Sequence, residues 1–540
     1  MRALCLGLDG ADFDLVDELR GRGRLPTIAR LAETGAFGPL HSTIPALTPT
    51  AWSSFLTGLN PAGHGIFNFT TNPNRARSRV ENAASRAGAP FWRALGDAGV
   101  RSAFVGIPFT YPPEPVAGVL VTGYGGPPRP AILPERAAER IFAAHPDLVT
   151  ARHPMAERWW EDYGRFTDLL VDHVEQTADV CRICLELEPD LRLLCANFMS
   201  SDFAGHLGYV RFDPGHPAHD PAAAGDELVQ VYEAVDRACG ALIDHAAHLW
   251  GEEPTVLILS DHGMKPIYWA FHLNRWLEEA GYLRYRRRSL QPLRRGVLAR
   301  AAAADRYLGR TRRRYAGALD RVPLLPRPRP AREFADIDFG RTRAYSYGTG
   351  GQIFLSEASG AVRDRRFEEE LVQALTDIRH PETGERAFDV RRKEELYRGP
   401  FLHKAPELVI LPHDERIHVD QSRRHYAAAF ERHERLDPRA QYGYSGHHGL
   451  RGILAAGGPG LSSGPLERDA EITQVPATLL SLFGLSMPMD GVPLALAGEA
   501  GGLNDAAARA EPAVGVVEEP VYSEEEEAAM AERLRDLGYE

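Results

Sequence analysis

Short apolar, β-branched runs alternate along the chain with longer amphipathic stretches. Ala3–Leu8, Ala103–Ile107, Val119–Thr122, Leu191–Phe198, Val256–Ser260, Leu408–Leu411 and Gly452–Ala456 have the length and character of strands. Pro26–Glu33, Phe91–Ala98, Tyr163–Leu187, Asp226–His248 and Thr473–Leu482 read as helices, the first with a proline suited to an initial helical position. Continuously apolar strands separated by helices predict a mostly parallel sheet covered on both faces: an α/β, three-layer αβα sandwich with helical insertions.

Acids and histidines gather where these strands end. Asp9 closes the first run, Asp202-Phe-Ala-Gly-His206 follows the fourth, and Ser260-Asp261-His262-Gly263 follows the fifth, each read as a strand handing over to a loop. A late pair lies at His447–His448. Parallel sheets bind ligands outside the carboxyl ends of their strands, and carboxylate oxygens with imidazole nitrogens suit two neighbouring divalent cations. A lone Asp after a strand is ordinarily a turn former and a lone His ordinarily structural. Two Asp-His pairs on one sheet edge are not explained by independent capping. The stretch Thr48-Pro-Thr-Ala-Trp-Ser-Ser-Phe-Leu-Thr-Gly58 is, alone, only a helix-start signal. Beside a metal-ligand set, a hydroxyl there becomes a candidate nucleophile, with Thr48 and Thr50 both eligible.

Composition narrows the class. The chain has 540 residues, 44% hydrophobic and 25% charged, an ordinary globular profile. A net charge of −12 argues against bulk nucleic-acid binding. No apolar run reaches the roughly 20 residues needed to span a bilayer. Met1–Gly10 reads as a strand feeding Asp9 and not as a cleaved signal, so a cytoplasmic location is expected. The five cysteines do not suggest a disulfide framework, and Cys181-Arg-Ile-Cys184, inside a helical stretch, reads as buried thiols. Only three lysines occur, Lys265, Lys393 and Lys404, against abundant arginine. Lys265, just beyond His262, is the first substrate-binding candidate among them.

The order and spacing of Leu8-Asp9-Gly10, Thr48…Thr57-Gly58-Leu59-Asn60-Pro61…His64-Gly65, Asp202-x-x-Gly-His206, Ser260-Asp-His-Gly263 and Ser445-Gly-His-His448 resemble the alkaline phosphatase superfamily. The likeness is to its type I phosphodiesterase/nucleotide pyrophosphatase branch and to a related group of predicted phosphohydrolases and phosphomutases, from the first strand to about Pro493. The resemblance implies an alkaline-phosphatase-like fold and two divalent metal ions, usually zinc, with manganese also suited to mixed oxygen and nitrogen ligands. Asp202, His206 and His448 would hold one ion. Asp9, Asp261 and His262, with the nucleophile Thr48, would hold the other. Thr48 stands at the family's distance before Thr57-Gly58, with Thr50 the alternative. His448 is preferred to His447 because the family places a glycine where Gly452 stands. The implied reaction cleaves a phosphodiester or pyrophosphate in a small-molecule substrate through a phosphothreonine. Where the nucleotide pyrophosphatases carry an Asn three residues after the nucleophile, this chain has Ala51. A monoesterase, mutase or phosphonate hydrolase would use the same metals, and a non-catalytic scaffold gripping an anionic partner is the alternative outside catalysis. A sulfatase lacks support, because the turn has no Cys and no Arg.

Residues 1–264 and 333–503 read as the catalytic core, with a candidate lid at 127–163. Residues 265–332 read as an insertion, arginine-crowded from Tyr285, that runs into a Pro-Arg linker. Residues 504–540 read as a polar tail ending in a short helix, and the Tyr522–Tyr539 stretch resembles the tail of the predicted phosphohydrolase group. Arg343, Tyr345 and Tyr347 precede a glycine-rich turn, Gly348–Gly351, read as packing, with Tyr345 a weak substrate-binding candidate. Lys404 is another, and Asp236 is read as a helix residue without catalytic duty. The sequence specifies neither the natural substrate nor the oligomeric state.

Overall fold

The structure, a computed structural model, describes all residues except 73, 75–78, 153–158, 160–161, 287–333, 422–427, 437–442, 465, 467–469 and 497–540. The arginine-crowded insertion beyond residue 286 and the polar tail therefore lie outside the described residues, as does much of 153–161 in the candidate lid.

A nine-stranded sheet organises the molecule. Seven strands come from the first half of the chain: β1 (Ala3–Leu8), β2 (Ala36–His41), β3 (Ser102–Ile107), β4 (Gly118–Thr122), β5 (Ile132–Leu133), β6 (Leu193–Phe198) and β7 (Thr255–Leu259). With Arg451–Gly457 and Ala470–Glu471 they run in the order Ala470–Glu471, β2, Arg451–Gly457, β7, β1, β6, β3, β4, β5. The centre, from β7 through β4, is parallel. Arg451–Gly457 runs antiparallel to both β7 and β2, and β5 antiparallel to β4.

The uninterrupted apolar character of the central strands follows from burial on both faces. In β1, Leu4, Leu6 and Leu8 enter one core and Ala3 and Cys5 the opposite one. Helices Phe13–Gly21, Pro26–Thr34, Tyr163–Leu187, Ser200–Phe212 and Glu227–Trp250 cover the first face. Helices Thr48–Thr57, Trp92–Asp97 and Gln474–Leu482 cover the second. In the candidate lid, helix Glu135–Ala144 buries Ala137 and Ile141 in the first core.

Several features differ from the sequence expectation. β2 carries Gly38 and Pro39, which weaken its strand signal. Leu408–Pro412 does not join the parallel set. It lies in a separate four-stranded antiparallel sheet with Ala344–Ser346, Gln352–Leu355 and Phe388–Arg392, above a third core around Phe271, Tyr345 and Phe388. Asp236 does more than occupy a helix face. Helix Pro26–Thr34 has no side-chain cap of its own. The Asp236 carboxylate accepts from Thr27 N and Ile28 N, both at 2.9 Å, and so caps one helix from another. All five cysteines are free and buried, as expected.

Candidate metal centre and active site

Because β7, β1 and β6 are adjacent and parallel, their carboxyl ends open on one edge, and Asp261, Asp9 and the segment leading to Asp202 meet there. Asp202 does not sit in a loop: helix Ser200–Phe212 starts two residues after β6 and carries Asp202 and His206 one turn apart. His448 arrives by a different route. Strand Gly446–Gly449 pairs antiparallel with Gly263–Pro266, His448 opposite Met264, just before Arg451–Gly457 enters the sheet. An antiparallel strand begins at the edge where its parallel neighbours end, which brings a residue far along the chain beside Asp202.

Two groups of ligand atoms result, Asp202/His206/His448 and Asp9/Asp261/His262, each with its atoms within 4.8 Å of one another. Nε2 of His206 and Nε2 of His448 lie 3.5 and 3.4 Å from Asp202 Oδ1. His262 Nε2 lies 3.3 Å from Asp261 Oδ2 and 3.9 Å from Asp9 Oδ1. The rings of His262 and His448 stack at 3.8 Å, joining the groups.

The surroundings aim these atoms. His206 Nδ1 donates to Gly446 O, His448 Nδ1 to Ala46 O and His262 Nδ1 to Gly263 O, at 2.9, 2.9 and 3.0 Å. That tautomer leaves each Nε2 as a lone pair facing the site. Asp9 Oδ2 accepts from Trp52 Nε1 and Asn197 Nδ2 at 2.8 and 2.9 Å, and Asp261 Oδ1 accepts from Gly10 N at 3.2 Å. The other oxygens, Asp9 Oδ1 and Asp261 Oδ2, are buried with no hydrogen-bond partner among the described residues, as is Asp202 Oδ1. Burial, then the charges of Asp261 and Asp202, push the Asp9 carboxyl well above its ordinary range. Burial likewise pushes Asp261 up and lowers His262 to about 4.

This donor set fits a pair of cations. Three carboxylate oxygens without donors and three neutral imidazole lone pairs are costly to hold in a dry pocket. His206 Nε2 also faces His448 Nε2 at 3.0 Å, two acceptors in the tautomers their Nδ1 bonds select. A divalent cation turns each of these into a favourable contact.

Thr48 opens helix Thr48–Thr57, its Oγ1 3.4 Å from His262 Nε2. Thr50 is completely buried, and its hydroxyl has no hydrogen-bond partner among the described residues. The remaining motif residues build the scaffold. Gly58 ends that helix at φ 68°, and Asn60 caps the next one through Ala62 N. His64 bonds Ser54 Oγ at 3.0 Å. Ala51 is buried in the second core.

A profile of the type I phosphodiesterase/nucleotide pyrophosphatase family matches residues 3–450. The chain belongs to this family. It is accordingly a hydrolase of phosphoric ester bonds, in the alkaline phosphatase superfamily. Among solved structures it resembles murine ectonucleotide pyrophosphatase/phosphodiesterase 5 (an inactive form in complex with AMP), with a TM-score of 0.52, 14% identity, and 91% of this chain and 97% of that one covered. The human protein of the same name gives a TM-score of 0.51 at 14% identity with the same coverage. At that identity the likeness is one of fold. No curated protein matches the chain.

Within this phosphodiesterase fold, the weaker substrate-binding candidates have other surroundings. Lys265 Nζ is held by Asp14 at 2.6 Å, Asp12 at 3.1 Å and Glu415 at 3.7 Å. Tyr345 is buried in the third core, its hydroxyl accepting from Asn72 and Asn74. Lys404 stands over the Phe401 ring at 4.7 Å. Arg343 pairs with Asp364 at 2.5 Å, and the turn it precedes contributes Thr349 and Gly350 to a cavity beside the metal centre. Sequence reasoning missed Trp52, Asn197 and Gly10. Gly10 had a signal, since it follows a candidate ligand directly: its φ is +66°, and a Cβ there would stand 2.9 Å from Asp202 Oδ1. Trp52 and Asn197 lie inside buried segments, where nothing local separates an anchor from core.

Proposed function

We propose that the chain hydrolyses a phosphodiester or pyrophosphate bond through a phosphothreonine on Thr48, with two divalent cations, zinc foremost. Asp202, His206 and His448 hold one cation, and Asp9, Asp261, His262 and Thr48 the other. The reading is carried by the convergence, at one sheet edge, of three partnerless carboxylate oxygens and three imidazole Nε2 atoms beside a hydroxyl. When bound, such a pair neutralises phosphoryl charge and lowers the pKa of a coordinated hydroxyl or water.

The protein's own contribution is position. Thr48 Oγ1 forms a bond to phosphorus as the bond to the leaving oxygen breaks. Water then attacks the phosphothreonine and Oγ1 is restored. Thr48 stands at a helix start where Pro49 has no N–H and Ala51 N is taken by Leu47 O, which leaves the Thr48 and Thr50 N–H groups of the first turn for the phosphoryl oxygens. Trp52, Asn197 and Gly10 hold the carboxylates still, and the tight burial limits stray water. Thr48 and Thr50 are both buried, and the choice of Thr48 rests on its Oγ1 standing 3.4 Å from His262 Nε2. The complete ligand set weighs against a non-catalytic scaffold.

The test is Thr48→Ala assayed on a p-nitrophenyl phosphodiester with zinc supplied. Activity should fall to background, and the wild type quenched in turnover should carry phosphate on Thr48 by peptide mass spectrometry. Undiminished hydrolysis by the variant would exclude the assignment.

A further inference from the structure

A cavity of about 120 Å³ opens directly on the metal centre, with His206 and His448 in its wall and Ala46 and Leu47, the residues leading to Thr48, along one side. Its chemistry is unlike that of the centre it adjoins. The exposed wall is mainly apolar, with Ile267, Leu411, Ile417 and Leu450 in it, and it also includes His418, His447 and Tyr444. Among the described residues no lysine or arginine lines it. The one carboxylate in the wall, Glu415, would repel a second anionic group, and its nearest cation, Lys265, lines a different cavity. Thr349, 6% exposed, also lines it, and its buried Oγ1 has no hydrogen-bond partner among the described residues.

We propose that this cavity takes an uncharged apolar substituent of the phosphoester, an aryl or branched alkyl group about the size of benzene, and that it selects such monoanionic diesters over pyrophosphates and nucleotides. The inference rests on the phosphoester reading above and names its substrate class. Size supports it, since an apolar cavity of roughly 150 Å³ in another protein binds benzene. Chemistry supports it as well. A nucleobase would bury several donors and acceptors against a mainly apolar wall, and each polar group buried there without a partner carries its full desolvation cost. The walls come from widely separated parts of the chain, among them the turn before Thr48, helix Ser200–Phe212, the Gly348–Gly351 turn, strands Leu408–Pro412 and Ile417–Asp420, and the approach to His448. The second sheet thereby shapes the pocket of the first.

The experiment measures binding of phenylphosphonate and methylphosphonate to the zinc-loaded full chain by calorimetry. Phenylphosphonate should bind at least about tenfold more tightly, an increment ordinary for filling an apolar pocket. Leu411→Trp, which fills the cavity, should abolish that preference while leaving methylphosphonate affinity unchanged. Leu450→Trp serves if the first variant melts early. Equal affinities in the wild type, or binding of neither ligand, would overturn the proposal. A clear phenyl preference in a protein that hydrolyses no ester would instead remove the phosphoester reading and leave the cavity's selectivity standing.

Discussion

Replacing Trp52 by Phe tests how the metal centre is held. The Trp52 indole, 1% exposed, donates from Nε1 to Asp9 Oδ2 at 2.8 Å. Among the described residues only Asn197 shares the work of fixing that carboxylate. The substitution keeps an aromatic ring in the second core and removes the donor. A hydrogen bond to a buried ionised group is worth about 1.5–3 kcal/mol. Metal centres that lose a supporting hydrogen bond of this kind typically bind metal about 10–100-fold more weakly, which is about 1.4–2.7 kcal/mol. The two ranges overlap, so zinc at the Asp9/Asp261/His262 group should bind about 10–100-fold more weakly, read by competition against a chromophoric chelator. Trp92→Phe is the matched control. Trp92 is equally buried in the same core, but its Nε1 has no hydrogen-bond partner among the described residues. It should lose packing energy and leave zinc affinity alone. If both variants weaken zinc equally, or neither does, the anchoring role of Trp52 is wrong.

Further outcomes follow from the same geometry. Gly10→Ala forces a side chain into a left-handed conformation, at about 1–2 kcal/mol, and drives its Cβ to 2.9 Å from Asp202 Oδ1 and 3.1 Å from Asp202 Cα. Elemental analysis should show the variant holding fewer than the wild-type complement of ions, and full loading at wild-type affinity would contradict the packing argument. Asp236→Ala strips Thr27 N and Ile28 N of their acceptor. Urea unfolding should show a loss of about 2–6 kcal/mol for two buried N–H groups left unpaired, with kcat per folded molecule unchanged. Burial holds His64 at about 3 and His173 at about 4. Both folded values lie below the unfolded one, so the unfolded chain binds more protons in acid. Their stabilisation is complete above pH 6.5 and is lost as pH falls towards those folded values. Between about pH 7.5 and pH 5.5 each should cost about 1.4 kcal/mol. His64→Gln should flatten the urea-derived slope by one such increment, and an unchanged slope would refute it.

Much of the site could be read along the chain because central parallel strands are apolar on both faces. An acid that breaks such a run is almost forced to stand at the sheet edge, as Asp9 and Asp261 do. The same reasoning faltered at Asp202. A helix whose first turn is buried against the sheet is as apolar as a loop is short, and the i,i+4 spacing to His206 was the unused clue. The Leu408–Leu411 run is expected in the parallel sheet and pairs in another one, because β-branched character marks a strand without naming its partner.

The central strands, the long helices and the acids at the strand ends follow from short-range order. Propensity and periodicity act over a few residues, and the ligands there sit next to the strands that carry them. Other features arose only when distant segments met. They include the arrival of His448 on an antiparallel strand, the grip of Trp52 and Asn197 on Asp9, the cap that Asp236 lends to another helix, and the cavity beside the candidate ligands. Each depends on strand order and register, which long crossovers and burial of the whole sheet decide together, and no local window of residues contains that information.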